Sequence, residues 1–308
     1  VSAPSRRTAA AAGALAAAGV AVALLPVPGV SAVQGTVAAA PALKGVTTEV
    51  RAWRAGAPVQ VAVGTSVRGR PFVARRQGPA DAPYAVLVLG QMHGSEPRGR
   101  AVVRELRRLA PPGQVQVWSI VTMNPDGGRV GTRRNARQVD LNRNFPNRWR
   151  PTFTDRIYYP GPREASEPET RAFMAFADRL RPDLIVSFHQ AYRSVDIGNP
   201  KTRTWSRRLA RALGLPMTVV PCRGPCAGTL VGWYNARYTG YAVTVELPAR
   251  VPEARARRYA RATVGVAGML APQSPPTPTP TPTPTGSGSP STSPTPSATN
   301  TPTPAPGA

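Results

Sequence analysis

Tyr84-Ala-Val-Leu-Val-Leu-Gly-Gln-Met-His93-Gly-Ser-Glu96-Pro97 is the stretch on which the fold is decided. The unbroken apolar run Tyr84 to Leu89 suits a strand covered on both faces, since a half-solvated strand would alternate polar with apolar. Pro97 suits the first turn of a helix, where its missing N–H has no helical partner to lose. Val102, Leu106 and Leu109 then recur on one helical face. The same unit repeats downstream. Val115 to Val121 reads as a strand, and Phe173, Phe176 and Leu180 mark a helix before the strand Leu184 to Phe188. Trp205, Leu209 and Leu213 precede the strand Met217 to Val220. A helix from about Thr229 leads into the strand Tyr241 to Val245, and a last helix covers Pro252 to Met269. Strands alternating with helices predict an α/β domain whose mixed, mainly parallel central sheet is flanked by helices. Pro58 to Val63 and Phe72 to Ala74 are expected to add antiparallel edge strands.

The two ends of the chain differ in kind from the middle. Arg6 and Arg7 precede the almost wholly Ala, Gly, Val and Leu stretch Ala9 to Leu25, and Val30-Ser-Ala32 follows. Residues 1–32 therefore read as a signal peptide with a small-x-small cleavage site. The alternative is a membrane anchor, but at 1.5 Å per residue the apolar stretch spans only about 26 Å against a bilayer core of roughly 30 Å. Secretion, to the extracellular space or the cell wall, is the expectation. Residues 271–308 are almost all Thr, Pro, Ser, Gly and Ala with alternating Thr-Pro, a composition that buries no core and favours an extended spacer. A catalytic domain is expected over residues 46–270, too near the signal to leave room for an inhibitory prodomain.

Charge and cysteine content narrow the class further. The formal charge is +24, and Lys44 and Lys201 are the only lysines among 39 basic residues. An excess of this kind reflects either the arginine bias of a GC-rich genome or attraction to a polyanion such as a bacterial wall or an acidic lipid surface. The arginines are scattered along the sequence and no nucleic-acid motif accompanies them, so no specific nucleic-acid partner is expected. Cys222 and Cys226 lie in Pro-Cys-Arg-Gly-Pro-Cys, where a turn and an oxidising compartment permit a disulfide.

The chain has two histidines, and each follows closely on a buried strand. His93 follows Tyr84–Leu89, His189 follows Leu184–Phe188, and Glu246 closes Tyr241–Val245. Sites in open α/β sheets form outside the carboxyl ends of the strands, where all three fall. Two imidazoles and a carboxylate suit a catalytic zinc that keeps a position open for water. His93-x-x-Glu96 would supply two ligands and His189 the third, giving one zinc per chain.

Six motifs then occur in order: His93-Gly-Ser-Glu96, Asn124-Pro-Asp-Gly127, Thr132-Arg-Arg-Asn135, Val139-Asp-Leu-Asn-Arg-Asn-Phe-Pro146, Ser187-Phe-His189 and Val245-Glu-Leu-Pro248. Together they resemble the zinc carboxypeptidase family, and Gly64-Thr-Ser-Val-Arg-Gly-Arg70 resembles the opening of its short bacterial forms. The resemblance implies that Glu246 is the general base and that Arg133 stabilises the oxyanion, with the adjoining Arg134 as the rival for that role. It also implies that Asn142 and Arg143 hold the substrate's terminal carboxylate and that Asp140 accepts the second ring N–H of His93. Two departures stand out. Gln138 replaces the glycine usual before Val-Asp, and no tyrosine matches the mobile one of the digestive members. By the same resemblance Leu230 is placed in the specificity pocket, which would disfavour a basic side chain there.

The function implied is that of a monomeric, secreted zinc metallopeptidase, a carboxypeptidase releasing C-terminal residues from peptides. The alternative is a murein peptide amidase or endopeptidase that cuts γ-D-glutamyl–diaminopimelate bonds. An aspartoacylase-like deacylase shares His-x-x-Glu but not the Asn-Pro-Asp-Gly block. A catalytically dead wall-binding module would show an altered ligand or base, and none is altered.

Overall fold

The computed structural model describes residues 46–153, 155–222 and 226–271. The signal peptide expected at residues 1–32 and the tail from residue 272 onward lie outside them. The described strands are β1 (Gln60–Thr65), β2 (Pro71–Gln77), β3 (Tyr84–Leu89), β4 (Val115–Ile120), β5 (Leu184–Gln190), β6 (Ser194–Asp196), β7 (Met217–Thr218) and β8 (Tyr241–Leu247). They form one sheet in the order β1-β2-β4-β3-β5-β8-β6-β7. The centre, from β4 through β3 and β5 to β8, is parallel, whereas β1 and β2 attach antiparallel at one side. This is the mixed, mainly parallel α/β sheet that the alternation of strands and helices predicts.

Burial on both faces explains why β3 has no polar residue. Val86 and Val88 enter one apolar cluster, and Ala85, Leu87 and Leu89 enter the other. Fully burying a side chain such as Leu or Val is worth about 1.5–3 kcal/mol, so a one-residue slip of β3 would misplace every contact at once. The first cluster is closed by α2 (Arg98–Leu106), α5 (Arg203–Leu213) and α7 (Glu253–Gly268). The second is closed by α1 (Thr48–Gly56), α4 (Pro168–Leu180) and α6 (Leu230–Arg237). A short helix, α3 (Pro125–Val130), follows β4.

Among the described α-helices and strands, three have no counterpart in the sequence reading: α1, α3 and β6. In α1, Trp53 stacks on Trp118 with centroids 6.0 Å apart. Arg54 is buried, donating from Nε to the Leu180 carbonyl at 2.8 Å and from Nη1 to that of Pro83 at 3.0 Å. That arginine belongs to the core's hydrogen-bond network and not to the surface charge. β6 is three residues long and runs antiparallel beside β8, with Ser194 level with Glu246.

Candidate active site

The parallel register brings the carboxyl ends of the central strands together. His189 on β5 is level with Glu246 on β8, and the β3–β5 pairing ends at Leu89–Ser187. His93 lies in the loop after β3. That loop is pressed onto α3, since a Cβ on Gly94 would fall 2.0 Å from the Gly127 carbonyl carbon. The Asn124-Pro-Asp-Gly127 motif accounts for α3. Asn124 Oδ1 accepts from the Gly127 N–H at 2.9 Å, and Pro125 occupies the first turn. Asp126 accepts from the Arg68 backbone N–H at 3.0 Å and pairs with the Arg70 guanidinium. Two further motifs of the sequence are thereby given structural roles.

His93, Glu96 and His189 are all buried, and their ligand atoms lie within 4.8 Å of one another. His93 Nδ1 is 2.9 Å from Glu96 Oε1, His189 Nδ1 is 3.0 Å from Glu96 Oε2, and the two Nδ1 atoms are 3.2 Å apart. The opposite ring nitrogens are engaged elsewhere. His93 Nε2 lies 3.0 Å from Asp140 Oδ1, and His189 Nε2 lies 3.2 Å from Ser187 Oγ. Protons held at Nε2 leave both Nδ1 lone pairs, and a carboxylate, facing one point. Neutral lone pairs so close repel unless a cation lies between them. The electrostatics agree. Burial would raise the Glu96 pKa, but His93 and His189 outweigh it and hold the carboxyl well below its usual range. Burial would likewise discharge His93, yet Glu96 and Asp140 raise its pKa. An anionic Glu96 beside two imidazole nitrogens attracts a cation, whether a proton or a metal ion, and the donor set fits a metal ion.

Asp140 anchors the surrounding side chains. Fully buried, it accepts from the Asn142 N–H at 2.9 Å through Oδ1, and from Arg133 Nε at 2.9 Å through Oδ2. Burial opposes its ionisation, but His93 and Arg133 hold its carboxyl far below the usual range. Arg133 also donates from Nη1 to Glu96 Oε1 at 3.1 Å. Arg134, its rival in the sequence, points away and bonds the Arg156 carbonyl. The Arg133 and Arg143 guanidinium carbons lie 5.1 and 5.5 Å from the Tyr158 ring centroid. The sequence offered no signal for Tyr158.

Glu246 faces the same centre. Its Oε2 is buried and has no protein hydrogen bond among the described residues. Its pKa is raised, first by burial and then by Glu96, while His189 acts in the opposite sense. His93, Glu96, His189, Glu246, Arg133, Asn142 and Arg143 share one cleft of about 900 Å³. Asp140 lies beneath it. Arg143 Nη1 donates to the Asn142 carbonyl at 2.8 Å, and its backbone is pinned by Gly228, where a Cβ would fall 2.0 Å from the Arg143 oxygen. Gly228 also has φ +64°, which glycine adopts freely.

Three details complete the comparison with the sequence reading. Cys222 and Cys226 form a disulfide with Cα atoms 5.3 Å apart, and both cysteines border the cleft. Gln138 has φ +63°, a left-handed conformation that explains why glycine is usual at this place in the motif. Leu230, expected in the specificity pocket, is instead 1% exposed in the core, and only its backbone N–H contacts the site, through Asn142 Oδ1 at 3.0 Å. The expectation fails because α6 turns this residue towards the aromatic cluster of Phe145, Trp233 and Tyr234. The cleft wall carries a carboxylate that the sequence reading did not single out, that of Asp196.

Comparison with known proteins agrees with this geometry. The zinc carboxypeptidase profile matches residues 113–199. Murein peptide amidase A of Vibrio campbellii is 33% identical over 197 residues, covering 60% of this chain and 77% of that protein. Murein peptide amidase A of Escherichia coli K12 is 29% identical over 209 residues, covering 64% of this chain and 84% of that one. The crystal structure of murein-tripeptide amidase from Escherichia coli O157 aligns with a TM-score of 0.55 at 28% identity, over 70% of this chain and 94% of that chain. Carboxypeptidase A of Helicoverpa armigera shares the fold, with a TM-score of 0.54 at 18% identity over 69% of each chain. The ordered motifs, the sheet and identity sustained over most of a full-length relative converge on one statement: this chain belongs to the zinc carboxypeptidase family.

Proposed function

We propose that this protein is an exported zinc hydrolase of the bacterial cell wall, which cuts the amide bond ahead of a residue bearing a free carboxylate. The γ-D-glutamyl–diaminopimelate bond of wall peptides is the favoured substrate. The observation that carries the reading is the grouping, in one cleft, of the His93–Glu96–His189 set with Glu246 and Arg143. The murein amidases among its relatives favour a wall peptide.

His93 and His189 would hold the metal through Nδ1 and Glu96 through its carboxylate, a nitrogen and oxygen set suited to zinc, one per chain. A zinc ion so held would supply Lewis acidity toward the scissile carbonyl and toward water near neutral pH. Glu246 Oε2 takes the proton of the attacking water and delivers it to the leaving amine. Arg133, anchored through Nε to Asp140, stabilises the oxyanion. Arg143 receives the free carboxylate in paired hydrogen bonds, with Asn142 beside it. Asp140 holds His93 in the tautomer that presents Nδ1.

The charge distribution supports attachment to the wall. Folding gathers arginines that are dispersed in sequence onto the helix layer α2, α7 and α5, where Arg104, Arg207, Arg211, Arg255 and Arg258 are exposed together with Arg108 just past the end of α2. Glu105 and Glu253 are the only carboxylates these three helices carry, and each pairs with an arginine. Such a layer attracts an anionic wall polymer and leaves the cleft free. The signal peptide read at residues 1–32 would deliver the enzyme there.

A second reading, carboxypeptidase action on ordinary peptides, is favoured by Arg143 and Asn142, which suit any free C-terminal carboxylate. The test compares L-Ala-γ-D-Glu-meso-diaminopimelate with N-blocked dipeptides. The wall reading predicts release of diaminopimelate with kcat/KM at least about tenfold above any dipeptide. Faster cleavage of dipeptides, with the tripeptide left intact, would give the function to the second reading.

A further inference from the structure

Three carboxylates line the cleft: Glu96 pairs with Arg133, Glu246 faces the reacting centre, and Asp196 has as yet no role. It lies in the cleft wall, yet no arginine or lysine among the described residues pairs with it. One oxygen is committed to the fold: Oδ1 accepts from the Gly198 N–H at 3.0 Å and the Val220 N–H at 3.1 Å. These bonds fix the carboxyl group and leave Oδ2 without a protein hydrogen bond among the described residues. On β6, Val195 points into the core opposite Val245, so Ser194 and Asp196 point to the other face, the one bearing Glu246 and Thr244. Ser194 is level with Glu246. Asp196, two residues further on, is therefore displaced from the base by roughly 7 Å along the strand. Val219 and Val231 line the same cleft and supply apolar surface around it.

We propose that Asp196 receives a positive charge at the end of the released residue's side chain, so that the enzyme selects a residue with both a free carboxylate and a distal ammonium. The inference rests on the reading that Glu246 marks the scissile bond. A straight stem of three or four methylene carbons, with C–C bonds of about 1.5 Å, spans the distance from the reacting centre to Asp196. The carboxylate of the same residue is taken by Arg143. Opposite charges placed at the two ends of the pocket orient the released residue and exclude short or acidic side chains. Diaminopimelate and lysine both satisfy the requirement, and norleucine, which has the stem of lysine without the nitrogen, does not.

Asp196→Asn separates this role from the structural one, because an asparagine Oδ1 still accepts from Gly198 and Val220 while the negative charge is gone. The experiment measures kcat/KM for N-blocked dipeptides ending in lysine, ε-acetyl-lysine and norleucine. It does the same for the wall tripeptide and its analogue lacking the distal amine. Wild type should prefer each ammonium-bearing substrate over its neutral partner by about 10- to 100-fold, the range for a hydrogen bond to a charged group. In the variant that ratio should fall close to 1, chiefly through KM. A wild-type ratio at or below 1, or a ratio that D196N leaves unchanged, overturns the proposal. Should D196N fail to fold, the wild-type ratios decide alone. If the wall-peptide reading fails, both tripeptides stay uncut while the dipeptide ratio still reports on Asp196.

Discussion

Replacing Asp140 with asparagine tests how the site is built, because one buried carboxylate holds three of its parts. Asp140 accepts from His93 Nε2 at 3.0 Å, the Asn142 N–H at 2.9 Å and Arg133 Nε at 2.9 Å. In Asp140→Asn the remaining oxygen can serve His93 and Asn142, but the new NH₂ meets the Arg133 N–H, donor against donor. Losing that charge-assisted bond costs about 1.5–3 kcal/mol. The two surviving bonds become neutral-acceptor bonds of roughly half their former strength, which brings the total to about 3–5 kcal/mol, the usual range for breaking a buried pair. With a urea m-value of about 2–3 kcal/mol/M, the metal-free variant should unfold about 1–2.5 M earlier. His93 would also be freer to adopt the wrong tautomer, so zinc affinity should fall about 10- to 100-fold. Urea unfolding of metal-free protein and zinc competition against a chromophoric chelator measure the two effects separately. An unchanged urea midpoint together with wild-type zinc affinity would refute the argument.

Glu246→Gln should keep zinc in place and lower kcat by at least about a hundredfold, the low end for loss of a general base; loss of zinc from this variant would make Glu246 a ligand instead. Gly228→Ala forces a Cβ to within 2.0 Å of the Arg143 oxygen at a φ of +64°. It should raise KM for substrates with a free carboxylate about tenfold or more while zinc content stays at the wild-type level, and an unchanged KM would show that Gly228 does not set the position of Arg143. Glutamine at the six exposed arginines of the α2, α7 and α5 layer should release the enzyme from wall material at lower salt, with kcat on a soluble peptide unaltered. Retention at the same salt concentration would remove that layer from wall attachment.

Legibility in the sequence followed burial. β3, β5 and β8 are covered on both faces, so their apolar runs stand out and the two histidines at their ends are easily placed. The family motifs supplied the side chains around them. What escaped depends on distant partners. β6 has three residues, too few for any period, and exists because β8 pairs with it; Asp196 escaped with it. α1 carries the arginines of a solvated helix, and only Trp118 and the Leu180 and Pro83 carbonyls show that Trp53 and Arg54 face inward. The placement of Leu230 failed for a related reason. A motif alignment gives its position on α6, and the packing of Phe145 and Trp233 decides which way it faces.

The central claim is that His93, Glu96 and His189 form one zinc site on which hydrolysis depends. Its most direct test is a titration of chelator-stripped enzyme with zinc, following release of the carboxylate-bearing residue. The account predicts no turnover in the stripped enzyme and activity that rises linearly to a sharp break at one zinc per chain. Full activity in the stripped enzyme, or a break at any other stoichiometry, would contradict it.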